Sequence, residues 1–114
     1  MADSLASLML NEGPAIYYDP DFRNVLEDHM TYLRTHPTTE VIQVDDGQAF
    51  LYTNDFYGLT RALLIPAELR WVMLRMNNMK SPTDYKADRT MLIRPNQTVV
   101  DFIQQSYSST NRTN

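Results

Sequence analysis

The sequence predicts an α+β fold. Two short β-prone runs, at 40–44 and 90–94, enclose a stretch of helical periodicity, and a further helical stripe lies on either side. The central unit is therefore strand, helix, helix, strand across residues 40–95. An N-terminal arm (1–18) and helix (19–38) precede it, and a C-terminal helix and tail (96–114) follow it. A chain of 114 residues makes one compact domain, and 43% hydrophobic with 11% aromatic content suffices for a core.

Taken in order, Leu5, Leu8 and Leu10 allow a short helix that Asn11-Glu-Gly-Pro14 ends, and Ala15-Ile-Tyr-Tyr18 is an apolar, aromatic patch. Asp19 can cap free helical N–H groups, and Pro20 suits the first helical position. Phe22, Val25, Leu26, Met30 and Leu33 then recur at helical spacing up to His36-Pro37, where the proline stops the helix. Asp45-Asp-Gly47 reads as the turn closing the first strand. From Gln48 a helix is expected to end at Gly58, a residue free to take the left-handed closing conformation. Leu59 to Ile65 reads as an apolar connection. The next helix spans 66–78, with Leu69, Val72, Met73 and Met76 on one side and Trp71 and Leu74 towards another. Residues 79–85 are a loop by composition. Pro95 ends the last strand, Asn96 caps a helix striped by Val99, Val100, Ile103 and Tyr107, and 108–114 is a polar, frayed tail.

Composition narrows the function. A net charge of −4, with 10 scattered basic residues, is a poor match to nucleic acid, whose binders neutralise phosphates with a basic patch; the nearest approach to a cluster is Arg70 with Arg75. The longest apolar run, 62–67, is far short of the roughly 20 residues that span a bilayer. Met1 to Ser7 holds Asp3 and no basic residue, unlike a secretory signal. The absence of cysteine removes disulfides and thiolate metal sites, in keeping with assembly in a cytoplasm. His29 and His36 are only two potential ligands, seven residues apart, and read as helix residues. The carboxylates at Glu27-Asp28 and Asp45-Asp46 read as solvated neighbours, and no serine motif or glycine-rich loop is present. No catalytic residue, cofactor or metal is expected.

Five segments at the joints of the central unit carry a family resemblance: Val44-Asp-Asp-Gly47, Asp55-Phe-Tyr-Gly58, Arg70-Trp-Val-Met-Leu-Arg-Met-Asn77, Ser81-Pro-Thr-Asp-Tyr85 and Met91-Leu-Ile-Arg-Pro95. Together they resemble a LysM module, and most of all the LysM-like domains of phage tail baseplate proteins that connect wedge and hub in contractile tails. The turn reads Asp-Gly where the family has Gly-Asp, and Tyr52, Thr53 and Asn54 stand where it prefers aliphatics.

The resemblance implies a structural virion protein, an assembly clamp joining wedge subunits to hub or sheath-initiator subunits. It would be assembled in the host cytoplasm in about six copies, as the symmetry of a baseplate ring requires. Its partners would be other tail proteins, with neither nucleic acid nor membrane among them. Aromatics expected at those interfaces are Tyr17, Tyr18, Phe22 and Tyr107, with Trp71 read first as core and second as an interface anchor. An alternative is a glycan-binding LysM module taking peptidoglycan in a groove between Asp46-Gly47 and the loop Ser81, Pro82, Thr83, Asp84 and Tyr85. A small phage regulatory or inhibitor protein is the residual alternative.

Overall fold

The computed structural model describes residues 15–112, so the short helix expected around Leu5 to Leu10 lies outside the described residues. The α+β class holds: helices surround a two-stranded antiparallel sheet.

A 3-10 turn at Ala15–Tyr18 leads into helix α1 (Pro20–Asp28), whose N-cap Asp19 accepts from the Asp21 N–H at 3.3 Å. The expected single helix at 19–38 is in fact two. At His29 the backbone turns to φ −102°, ψ 9°, and α2 (Met30–Thr35) starts afresh. The His29 ring Nδ1 lies 2.7 Å from the Val25 carbonyl, which can only accept, so this nitrogen carries the proton. The kink leaves the apolar stripe intact, and Phe22, Leu26, Met30 and Leu33 are all buried.

Strands β1 (Glu40–Gln43) and β2 (Met91–Arg94) pair antiparallel, with Ile42 opposite Leu92 and Val41 opposite Ile93. Ile42 and Leu92 point inward, while Val41 and Met91 on the other face are exposed.

Between the strands the helices fall differently from expectation. Asp45 does not merely turn; its carboxylate accepts from the Gly47 and Gln48 N–H groups and caps α3 (Asp46–Leu51). The chain breaks at 52–55, where Asn54 takes φ 66°, and Asp55 caps a new helix, α4 (Phe56–Ala62), by accepting from Gly58 N–H at 3.0 Å. Gly58 is thus in the first turn of a helix, not at the end of one. A Cβ at that position would collide with the Asp55 carboxylate, so glycine is required by the cap's close approach. The apolar stretch expected as a connection is mostly α4, closed by Leu64 at φ 62° with Ile65 N–H bonded back to the Thr60 carbonyl.

A 3-10 turn at Ala67–Leu69 runs into α5 (Arg70–Met76). Val72, Met73, Leu74 and Met76 are all buried, so this helix is enclosed on most of its circumference. Asn78 closes it at φ 63°, with Met79 N–H bonded to the Leu74 carbonyl, the usual use of asparagine in a left-handed cap. Asn96 then caps α6 (Gln97–Arg112) by accepting from Thr98 and Val99. The helix continues to Arg112 through much of the segment expected to be frayed.

Helix α6 packs on α1, and the terminal segments lock together. The Tyr17 and Phe22 rings meet edge-on at 5.3 Å, and the Phe22 and Tyr107 rings at 5.3 Å. The Tyr107 hydroxyl donates to Asp19 at 3.2 Å and that of Tyr17 to Asp101 at 3.4 Å. The bidentate ion pair of Arg75 with Glu27 joins α1 to α5, and the Arg34 guanidinium donates to the Arg75 and Met76 carbonyls. Three α-helices, not the two expected, therefore lie between the strands, and the flanking helices are built into the same core as this unit.

Candidate functional site

Helices α1, α4 and α5 and the two 3-10 turns at 15–18 and 67–69 meet around a pocket of about 280 Å³. Tyr18, Tyr57 and Trp71 line it together with Arg23, Arg61, Arg70 and Glu68, and buried Tyr17 lies at its base. Each element contributes for a local reason. Arg23 sits one position after buried Phe22 on α1, which places it beside the core at the pocket's edge. On α4, Tyr57 and Arg61 are four residues apart and share a face. Arg70 and Trp71 open α5, next to its buried face at Val72 and Met73.

Arg23 is held from three sides. Its Nε donates to the Tyr17 carbonyl at 2.9 Å, and its guanidinium lies 4.7 Å from the Trp71 ring centre and 5.4 Å from that of Tyr18. A planar cation between two rings gains cation–π attraction from each. Burial pushes the Tyr57 phenol up, against the pull of nearby Arg23 and Arg70. The Tyr17 phenol is pushed well above the ordinary range by burial and then by the negative charges of Asp101 and Glu68. These phenols stay protonated at neutral pH and arginine stays charged, and the one O–H of Tyr17 is already given to Asp101.

The structure redistributes the aromatics expected at partner interfaces. Phe22 is completely enclosed and Tyr17 is buried, so neither offers a free ring; both are consumed by packing between the chain's own ends. Tyr107 is half-buried in the same cluster. Tyr18 is half-exposed, and Trp71 is partly buried as a pocket wall, so it serves core and surface at once.

The loop expected to line a glycan groove is largely occupied with itself. Ser81 and Asp84 form a reciprocal capping box around the 3-10 turn Pro82–Asp84. Asp84 accepts from the Lys80 and Ser81 N–H groups, which hold its carboxyl below the usual range, and the Ser81 and Thr83 hydroxyls lie 3.0 Å apart. Tyr85 is not a groove residue: it is fully buried, packs at a tilt against Phe56 with ring centres 5.8 Å apart and donates to the Arg89 carbonyl at 2.8 Å. Asp46 and Gly47 are exposed in the first turn of α3.

Arg23, Tyr57, Arg61, Glu68 and Arg70 are site residues that no sequence spacing singles out. Arg70 and Arg75, five residues apart on one helix, face different neighbours: Arg75 turns to Glu27, while Arg70 joins Arg23 and Arg61 around the pocket. A second, shallower cleft lies between the α1–α2 kink and α6, lined by His29, Tyr32, Phe102 and Ile103, with Tyr32 and Phe102 largely exposed. Among the described residues no three His, Asp or Glu side chains gather as a metal-binding group, and no helix is long and apolar enough to cross a membrane.

No family model matches the chain, and neither a curated protein nor a solved structure is similar to it at a significant level.

Proposed function

We propose that this chain is a structural subunit of a phage contractile-tail baseplate, in which a LysM-like unit at residues 40–95 clamps wedge subunits to the hub or sheath initiator. It acts by binding and carries out no reaction.

The observation that carries this reading is the use made of Asn77. The Trp-to-Asn helix is one of the segments that resemble the LysM-like baseplate domains most, and its terminal Asn77 accepts from the Ile93 N–H and donates to the Ile93 carbonyl, each at 2.9 Å. That is a structural reason for an asparagine at this joint between the last helix of the unit and its second strand. Binding to partners is further supported by large apolar side chains left in solvent, including Phe50 (77% exposed), Leu51 and Phe102. The 81–85 loop spends its carboxylate and hydroxyls on its own turn, which favours assembly over glycan capture.

Co-expression with the tail proteins encoded beside it, followed by size-exclusion chromatography, tests the proposal. Co-elution with wedge or hub subunits, and no sedimentation with purified peptidoglycan, is the expected result. Saturable sedimentation with peptidoglycan and no co-elution would replace the clamp with a glycan-binding module.

A further inference from the structure

Strand β1 pairs with β2 on one side only, and among the described residues its other edge is open. The hydrogen bonds show which groups lie along that edge. Asn77 takes the N–H and carbonyl of Ile93, and the Val44 N–H donates to the Thr90 carbonyl at 2.7 Å. Along an antiparallel strand each residue turns both backbone groups to one side, and the side alternates. Ile42 and Val44 therefore bond towards β2, while Val41 and Gln43 point their N–H and C=O groups away from it. Among the described residues none of these outward groups meets a partner. The edge is also within reach, since Val41 is 63% exposed and Gln43 is exposed.

An open strand edge is completed by another strand, and this one is complementary to itself. Antiparallel registers that bring the outward groups of two copies together differ in what else they oppose. With Val41 against Val41, Gln43 faces Thr39, whose N–H already goes to the His36 carbonyl. With Gln43 against Gln43, Glu40 of one copy comes towards Asp46 of the other, a like-charge contact. With Val41 of each copy against Gln43 of the other, both residues exchange both of their bonds, and Glu40 faces Val44. The two Ile42 side chains then meet at the centre, where the single chain leaves Ile42 only partly buried.

We propose that two copies of this chain pair edge to edge through β1 in the Val41-to-Gln43 register, joining their two-stranded sheets into one of four strands across a two-fold axis. The strand is short, so the pairing is weak and sets in with concentration. It concerns the free chain and does not depend on the baseplate reading.

Sedimentation velocity of the full chain from about 10 μM to about 1 mM, with amide hydrogen exchange followed by NMR at both ends of that range, tests the pairing. The sedimenting species should move from monomer towards dimer. The Val41 and Gln43 amides should exchange about threefold or more slowly at the high concentration, while the Ile42 amide, bonded to β2, is protected at both. Gln43→Pro removes an outward N–H and no bond to β2, so it should keep its melting temperature and stay monomeric. Gln43→Ala keeps that N–H and should dimerise like the parent. A chain that stays monomeric throughout, a folded Gln43→Pro protein that still dimerises, or a dimer whose Val41 and Gln43 amides are not slowed would overturn the proposal. The exchange measurement needs no variant, so it decides even where Gln43→Pro fails to fold.

Discussion

Asn77, at the end of α5, closes on Ile93 of β2 with a matched pair of 2.9 Å hydrogen bonds, while the same amide nitrogen donates to the Met73 carbonyl at 2.7 Å. In the strand register Ile93 stands opposite Val41, and bonding to Asn77 means that its N–H and C=O face away from β1. The side chain therefore takes the place of a third strand. Asn77→Ala would leave both Ile93 groups without that partner in a largely enclosed place, at about 2–4 kcal/mol. Urea unfolding should show that loss as a lower midpoint with an unchanged slope.

Gly58 reverses the ordinary rule for glycine in a helix. Alanine normally gains about 1 kcal/mol over glycine at such a position. Here the new Cβ meets the Asp55 carboxylate that caps α4. Gly58→Ala should instead destabilise by about 1–2 kcal/mol, the worth of a lost cap. In an Asp55→Ala background the same substitution should become neutral or favourable, a sign change that thermal melts of the four proteins would show.

The Arg75 guanidinium holds the Glu27 carboxyl below the usual carboxylate range, chiefly through their hydrogen bonds. Because the folded value lies below the unfolded one, this contribution is complete above the unfolded value of about 4.3 and is lost as pH falls through the folded one. Both side chains are partly exposed, at 24% and 34%, so solvent screening limits the pair to about 0.5–1 kcal/mol. Glu27→Gln should flatten the loss of stability on acidification below about pH 4.3, and added salt should shrink the difference between the two proteins.

Tyr17 anchors the start of the described chain to its last helix. Its ring is buried against Phe22, and its hydroxyl reaches Asp101. Tyr17→Ala should cost about 3–5 kcal/mol, as for other buried aromatics. Tyr17→Phe, which loses only the hydrogen bond, should cost about 1 kcal/mol. Differential scanning calorimetry of the two variants separates ring from hydroxyl.

Much of the fold was legible. Strand positions were right to within a residue, because short β-prone runs were bounded by Asp-Gly and Pro. The Asp19-Pro20 and Asn96 starts were visible because caps are local chemistry. The breaks were not. Phe22, Leu26, Met30 and Leu33 keep one face through the kink at His29, so the periodicity never signals it. Asp55-Phe-Tyr-Gly58 reads as a helix end, yet the carboxylate three residues before the glycine makes it a beginning. Which aromatics are spent inside depends on where α6 lies against α1, and local sequence does not encode that. For the same reason the pocket was invisible: Arg23, Arg61 and Arg70 share no spacing and meet only through packing.

The proposed assembly role is tested most directly by quantitative mass spectrometry of washed, purified phage tails from cells that express the chain. A baseplate clamp predicts the chain in a fixed ratio to the other baseplate proteins, at about six copies per tail if it follows the sixfold ring of the baseplates it resembles. Abundance in the infected-cell lysate with absence from the particles would contradict that role and mark the chain as a regulatory or inhibitory protein instead.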